Sequence, residues 1–127
     1  MATTKILLLE VQRANSASFA AVLEKRGYTV AVERVPQTAL KRSQSISPDL
    51  VVLNAASLKT SGARICRQIK ANLKTIPVVI VADKKNVPDG NCGAAATLII
   101  PFTPRKLLNS VARLLPGDDS ASLQVGP

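Results

Sequence analysis

Short, unbroken aliphatic runs punctuate this chain: KILLLE at 5–10, DLVVLN at 49–54 and IPVVIVA at 76–82. A run of that length without polar alternation suits a strand buried on both faces, the habit of parallel sheets covered by helices on both sides. The stretches between them carry helical spacing. NSASFAAVLEKRG sets Phe19, Val22, Leu23 and Arg26 at helical intervals, with Ser16 as N-cap and Gly27 as the stop. PQTALKRSQSI reads as a short helix from Pro36, and ARICRQIKANL gathers Ile65, Cys66, Ile69 and Leu73 on one face. TPRKLLNSVARLL has Thr103 as N-cap and Pro104 in the first turn, and it faces Leu107, Leu108, Val111, Leu114 and Leu115 inward. YTVAVE at 28–33 alternates like a strand, and TLII at 97–100 supplies a fifth. Strand and helix alternate throughout, which predicts an α/β fold with a doubly wound, five-stranded parallel sheet. One segment breaks the rhythm. DKKNVPDGNCGAAA at 83–96 carries Pro88, Gly90 and Gly93 where a fourth helix belongs, so that helix is expected to be shortened to a turn or two.

With 46% apolar but only 2% aromatic residues, the 127-residue chain must build a single aliphatic core. The domain is expected to span residues 1–116, with 117–127 reading as a linker and the start of a following domain at SLQVGP. No apolar run approaches a membrane span and no signal-peptide pattern opens the chain, so a cytoplasmic protein without membrane contact is expected. The absence of histidine removes the commonest general base and metal ligand, which counts against most enzymes; no cofactor and no metal are expected. Cys66 and Cys92 are too isolated for a disulfide framework or a metal site, and read as a core residue and a loop thiol. The net charge of +9 favours an anionic partner, whether nucleic acid, an acidic protein or a membrane surface. The charges are nevertheless scattered, with few aromatics to stack on bases, so a solvated surface is the simpler account. Arg64, Arg67, Lys70 and Lys74 form a basic stripe opposite Ile65 and Ile69, either a solvated face or an anionic docking surface.

Chemistry in an open parallel sheet gathers outside the carboxyl ends of the strands. Those ends are Glu10, Asn54, Ala82 and Ile100. KILLLE, GYTV, PDLVVLN followed by Gly62, IPVVIVA and IIPFTPRKLL stand in this order over about residues 4–115, and together they resemble the receiver domain of two-component response regulators. The resemblance implies a flavodoxin-like sheet of order 2-1-3-4-5 and a Mg²⁺-dependent phosphoryl acceptor. In that family two acids after the first strand and an aspartate after the third hold the metal, and the aspartate is the nucleophile. A hydroxyl after the fourth strand and a lysine after the fifth read the phosphoryl group.

Carried over by position, the acids fall on Glu10 and Val11, the nucleophile on Asn54, the hydroxyl on Ala82 and the lysine on Ile100. The aromatic that swings with the hydroxyl falls on Thr97, and Pro101 matches a proline commonly preceded by a cis bond. These departures belong together, because a lysine left without its aspartate would be an unpaired cation in a half-buried pocket. The expectation is a phosphorylation-independent pseudo-receiver rather than an enzyme: a regulatory, dimerisation or partner-binding module in signal transduction and transcription regulation. SLQVGP resembles the first strand of an OmpR-type winged-helix domain, so DNA would be bound only through a domain beyond this chain. A homodimer is expected, with Ala17, Ala20 and Ala21 permitting close approach of the first helix, and an acidic protein is the other partner considered. The alternatives are a flavodoxin-like small-ligand sensor using the vacated pocket, and an active phosphoacceptor with an atypical site. Individually, Asn54 reads as a polar strand end bonded to its loop, and Glu10 as a surface carboxylate paired with a nearby Arg or Lys.

Overall fold

The parallel sheet has the strand order β2-β1-β3-β4-β5, the doubly wound arrangement expected. The structure, a computed structural model, describes residues 4–11 and 18–115. In chain order the elements are β1 (Lys5–Leu9), α1 (Phe19–Lys25), β2 (Thr29–Glu33), α2 (Pro36–Ile46), β3 (Leu50–Asn54), α3 (Ala63–Asn72), β4 (Val78–Ala82), a 3₁₀ turn (Lys84–Asn86), β5 (Ala96–Ile99) and α4 (Pro104–Leu114). Every residue of β3 and β4 is buried, as their unbroken apolar runs require. Side-chain alternation divides the core in two. Leu7, Leu9, Val51, Leu53 and Ile80 meet Ala39, Cys66 and Ile69 of α2 and α3. Ile6, Leu8, Val52, Val79 and Leu98 meet Leu23, Leu107 and Val111 of α1 and α4. Each fully buried Leu, Ile or Val contributes about 1.5–3 kcal/mol, so these layers fix the positions of the strand ends.

Helix ends follow local chemistry. Ser18, not Ser16, caps α1; its hydroxyl accepts from the Ala20 amide at 3.1 Å, and Ser16 lies outside the described residues. Thr103 caps α4 by accepting from Lys106 N at 3.2 Å, with Pro104 in the first turn. The proposed boundary at 116 and the SLQVGP segment lie outside the described residues.

The only helical turn in the segment 83–95 is the 3₁₀ turn, which Asp83 starts by accepting from Lys85 N at 3.0 Å. The rest of the segment is fastened to α3. The Cys66 thiol donates to the Cys92 carbonyl at 3.4 Å, Arg67 lies 3.7 Å from Asp89, and the Lys70 alkyl chain passes over Gly93. This corrects two expectations. Cys92 is a loop thiol as expected, but it does not stand isolated: it is buried beside Cys66. Burial, with the neighbouring Cys92, pushes the Cys66 thiol up to about 12, so it stays neutral and behaves as an apolar filler. Nor is the basic stripe uniformly solvated: Lys70 Nζ donates to the carbonyls of Lys74 and Ile76 at 3.0 and 2.9 Å, closing the C-terminal end of α3.

Gly62, at the start of α3, has φ +82°, and a Cβ there would lie 2.8 Å from Ala55 Cβ and 3.2 Å from Leu53 Cδ2. Gly27 is also left-handed but faces open space. Urea denaturation should therefore show Gly62→Ala costing about 2–4 kcal/mol, against about 1 kcal/mol for Gly27→Ala.

Candidate functional site

At the carboxyl edge of the sheet, Glu10 leaves β1 with its amide still bonded to the Glu33 carbonyl at 2.9 Å. Only 3% of Glu10 is exposed, so its carboxylate must find donors within the protein. It finds them on two elements. Ser18 Oγ donates to Oε2 at 2.6 Å and Phe19 N to Oε1 at 3.2 Å, both from the start of α1. Asn54 Nδ2 donates to Oε1 at 3.1 Å from the end of β3. The positive end of the α1 dipole adds to this field. Among the described residues Glu10 is thus held by neutral donors, and it is buried rather than the surface carboxylate expected.

Asn54, 8% exposed, uses both ends of its amide. While Nδ2 serves Glu10, Oδ1 accepts from Ser57 N at 3.2 Å, which is the expected bond to the following loop. Ser57 Oγ donates to the Asn54 carbonyl at 2.7 Å and accepts from Val11 N at 3.0 Å. The network joins the ends of β1 and β3, the start of α1 and the turn after β3, and no buried side-chain polar atom among the described residues lacks a partner.

The other positions singled out by sequence lie apart from it. Ala82 is buried with the α2 and α3 layer. Ile100 packs against the opposite layer with Phe19 and Phe102, and its amide donates to the Ala82 carbonyl at 2.9 Å. Those two phenyl rings stack with centroids 5.6 Å apart. Thr97 is exposed on β5, and the Ile100–Pro101 peptide is cis. The donors missed by sequence reasoning are Ser18, Phe19 and Ser57. The order of Ser18 before an apolar helix was a usable signal, but the choice between two nearby serines depended on Glu10 needing a partner.

This donor set does not fit Mg²⁺, the ion implied by receiver chemistry. Magnesium demands several hard oxygen ligands in near-octahedral geometry. Here both Glu10 oxygens are engaged by donors, Asn54 turns its NH₂ toward Glu10, and Val11 offers no side-chain oxygen. Among the described residues no group of three or more His, Cys, Asp or Glu could hold a metal. Asn54 therefore donates where a metal site needs an acceptor. Replacing it by aspartate removes a donor from Glu10 and sets a second carboxylate beside it. Asn54→Asp is expected to destabilise the fold by about 1–3 kcal/mol near neutral pH. Urea denaturation of the two chains, compared at neutral pH, measures this deficit.

Comparison with known proteins gives this geometry a family. A sequence model of the response regulator receiver domain matches residues 6–112. The chain is 32% identical over 117 residues to response regulator ArlR of Staphylococcus saprophyticus, covering 88% of this chain and 52% of that protein. It is 27% identical over 115 residues to the alkaline phosphatase synthesis transcriptional regulatory protein PhoP of Bacillus subtilis, covering 87% and 48%. The chain thus spans about half the length of these curated relatives. The crystal structure of a histidine kinase signal receiver domain from Syntrophus aciditrophicus superposes with a TM-score of 0.75 at 26% identity, covering 91% of this chain and 92% of that one. The chain is a member of the response regulator receiver domain family.

Proposed function

We propose that this receiver domain of a two-component response regulator works without a phosphoryl group, as a regulatory and partner-binding module rather than an enzyme. The observation that carries the proposal is the Asn54 amide, bonded to Glu10 on one side and to Ser57 on the other. Receiver chemistry needs a carboxylate nucleophile at this position, and an amide is neither charged nor usefully nucleophilic. Phosphoryl transfer also depends on cations around the transferring oxygens. Ala82 and Ile100 supply none, and the Ile100 side chain is committed to the core. Among the described residues no helix is long and apolar enough to cross a membrane, in keeping with a cytoplasmic signalling role.

The larger protein would regulate transcription, as the name of the Bacillus relative indicates for that protein, with DNA held by a domain beyond this chain. A homodimer is part of the same proposal. Of the alanines expected to bring first helices together, Ala20 packs against the core and Ala21 is exposed, while Ala17 lies outside the described residues. Any dimer would be constitutive, because no phosphoryl group shifts its population.

Intact mass after incubation with acetyl phosphate and Mg²⁺ should show the unmodified chain. A stoichiometric phosphoryl adduct would overturn the proposal. Sedimentation at several protein concentrations should give the same association with and without acetyl phosphate; a donor-dependent shift would count against a constitutive state.

A further inference from the structure

A groove of about 450 Å³ opens between the first turns of α2 and α3. Leu58 and Ile65, both partly buried against the core, line it with Thr60 and Gln68, and Arg64 stands at its mouth. We propose that this groove docks a peptide segment of a partner protein in which aliphatic side chains are flanked by carboxylates. The proposal deepens the one above only in requiring no phosphoryl signal.

Charge points to an acidic occupant. Arg64 and the neighbouring Lys59 are exposed, and neither makes an ion pair among the described residues. The carboxylates of neighbouring elements are engaged elsewhere: Glu33 holds Arg42, and Asp89 lies against Arg67. In a chain of net charge +9, an acidic segment meets Arg64 in the groove lining, with Lys59 on the turn between the lining residues Leu58 and Thr60. Apolar surface points to aliphatic side chains. Leu58 and Ile65 are the apolar side chains of the lining, and Val35, which precedes the lining residue Pro36 as the N-cap of α2, is 49% exposed. The lining contains no aromatic on which a base could stack, which disfavours single-stranded nucleic acid as the occupant.

The groove wall is also closely hydrogen-bonded. Leu58 and Thr60 lie on the turn after β3, where Leu58 N donates to the carbonyls of Asn54 and Ala55, Lys59 N to Ala56, and Thr60 N to Ala55. Lys59 has φ +57°, a left-handed conformation that L-residues adopt rarely and that persists only where the surroundings impose it. The Glu10–Asn54–Ser57 network anchors the start of this turn. The former phosphoacceptor position thereby holds one wall of the groove in a fixed shape, which lowers the ordering cost of binding.

The test titrates the ¹⁵N-labelled chain, without any phosphoryl donor, with a short synthetic peptide alternating leucine with aspartate or glutamate. Amide shifts should centre on Leu58, Thr60, Arg64 and Ile65 and weaken with added salt. Arg64→Glu should weaken binding about tenfold, and Lys59→Glu should act in the same direction, with the spectrum away from the groove reporting that each variant is folded. Replacing the peptide's leucines by serine should also weaken it about tenfold. The proposal is overturned if a lysine–leucine peptide binds equally well, if both charge reversals leave affinity unchanged, or if the shifts centre on Arg105 and Lys106. Tighter binding of duplex DNA or anionic vesicles at the same amides would also overturn it. A chain that bound the peptide yet accepted phosphate from acetyl phosphate would overturn the reading of Asn54 and leave the groove intact. A chain that did neither would overturn the groove alone.

Discussion

A buried carboxylate that meets only neutral donors among the described residues organises the carboxyl edge of this sheet. An ionised carboxyl group removed from water is costly unless hydrogen bonds replace its hydration. Glu10 obtains that replacement from the Ser18 hydroxyl, the Phe19 amide and the Asn54 side chain. Since these donors come from α1 and β3, satisfying one charge fixes how the first helix begins and how the third strand ends. It also explains the amide at position 54. In a pocket with neither metal nor lysine, the neighbour of Glu10 has to be a donor. Asparagine keeps the shape of aspartate while reversing the sense of its hydrogen bond. On the reading proposed above, Ile100 at the lysine position and Asn54 at the aspartate position go together, because neutral donors then take over the balancing of Glu10.

Much of the fold was legible because its signals are local and periodic. The runs at Lys5–Leu9, Leu50–Asn54 and Val78–Ala82 are apolar without alternation, and they form the three central strands. Gly27, Pro36 and Thr103 mark helix boundaries through their own backbone or capping chemistry. Pro88, Gly90 and Gly93 announced the missing helix in the same way. What stayed hidden depends on contacts between distant parts of the chain. Glu10 and Asn54 are 44 residues apart, and Cys66 and Cys92 are 26 apart. No period in the sequence encodes either meeting. The family resemblance brought Glu10 and Asn54 to one edge, yet it offered no reason to expect a bond between them, because in active receivers both positions are acids bridged by a metal. The Lys70 side chain was misread for a related reason: helical periodicity gives the direction of its Cα–Cβ bond, while a flexible ammonium goes where carbonyls await it.

The positions that would carry a conformational signal share a backbone hydrogen bond, from the Ile100 amide to the Ala82 carbonyl, but their side chains lie in different surroundings. Ala82 is sealed in the layer beneath α2 and α3, Ile100 is packed in the layer of α1 and α4, and Thr97 faces solvent between them. A ligand shifts a two-state equilibrium only by as much as it interacts differently with the two states. With a methyl group at 82 and an alkyl chain at 100, an anion at position 54 would meet no side-chain donor at either position whose movement could report its arrival. On the reading proposed above, regulation must then act on concentration and affinity rather than on the population of an active conformer. A closely hydrogen-bonded turn suits that role. The network around Glu10 ties down the start of the 54–60 loop, so on the same reading its binding-competent form would need no signal to populate it. On that reading, the Asn54 amide that withholds a nucleophile also fastens the turn beside the groove.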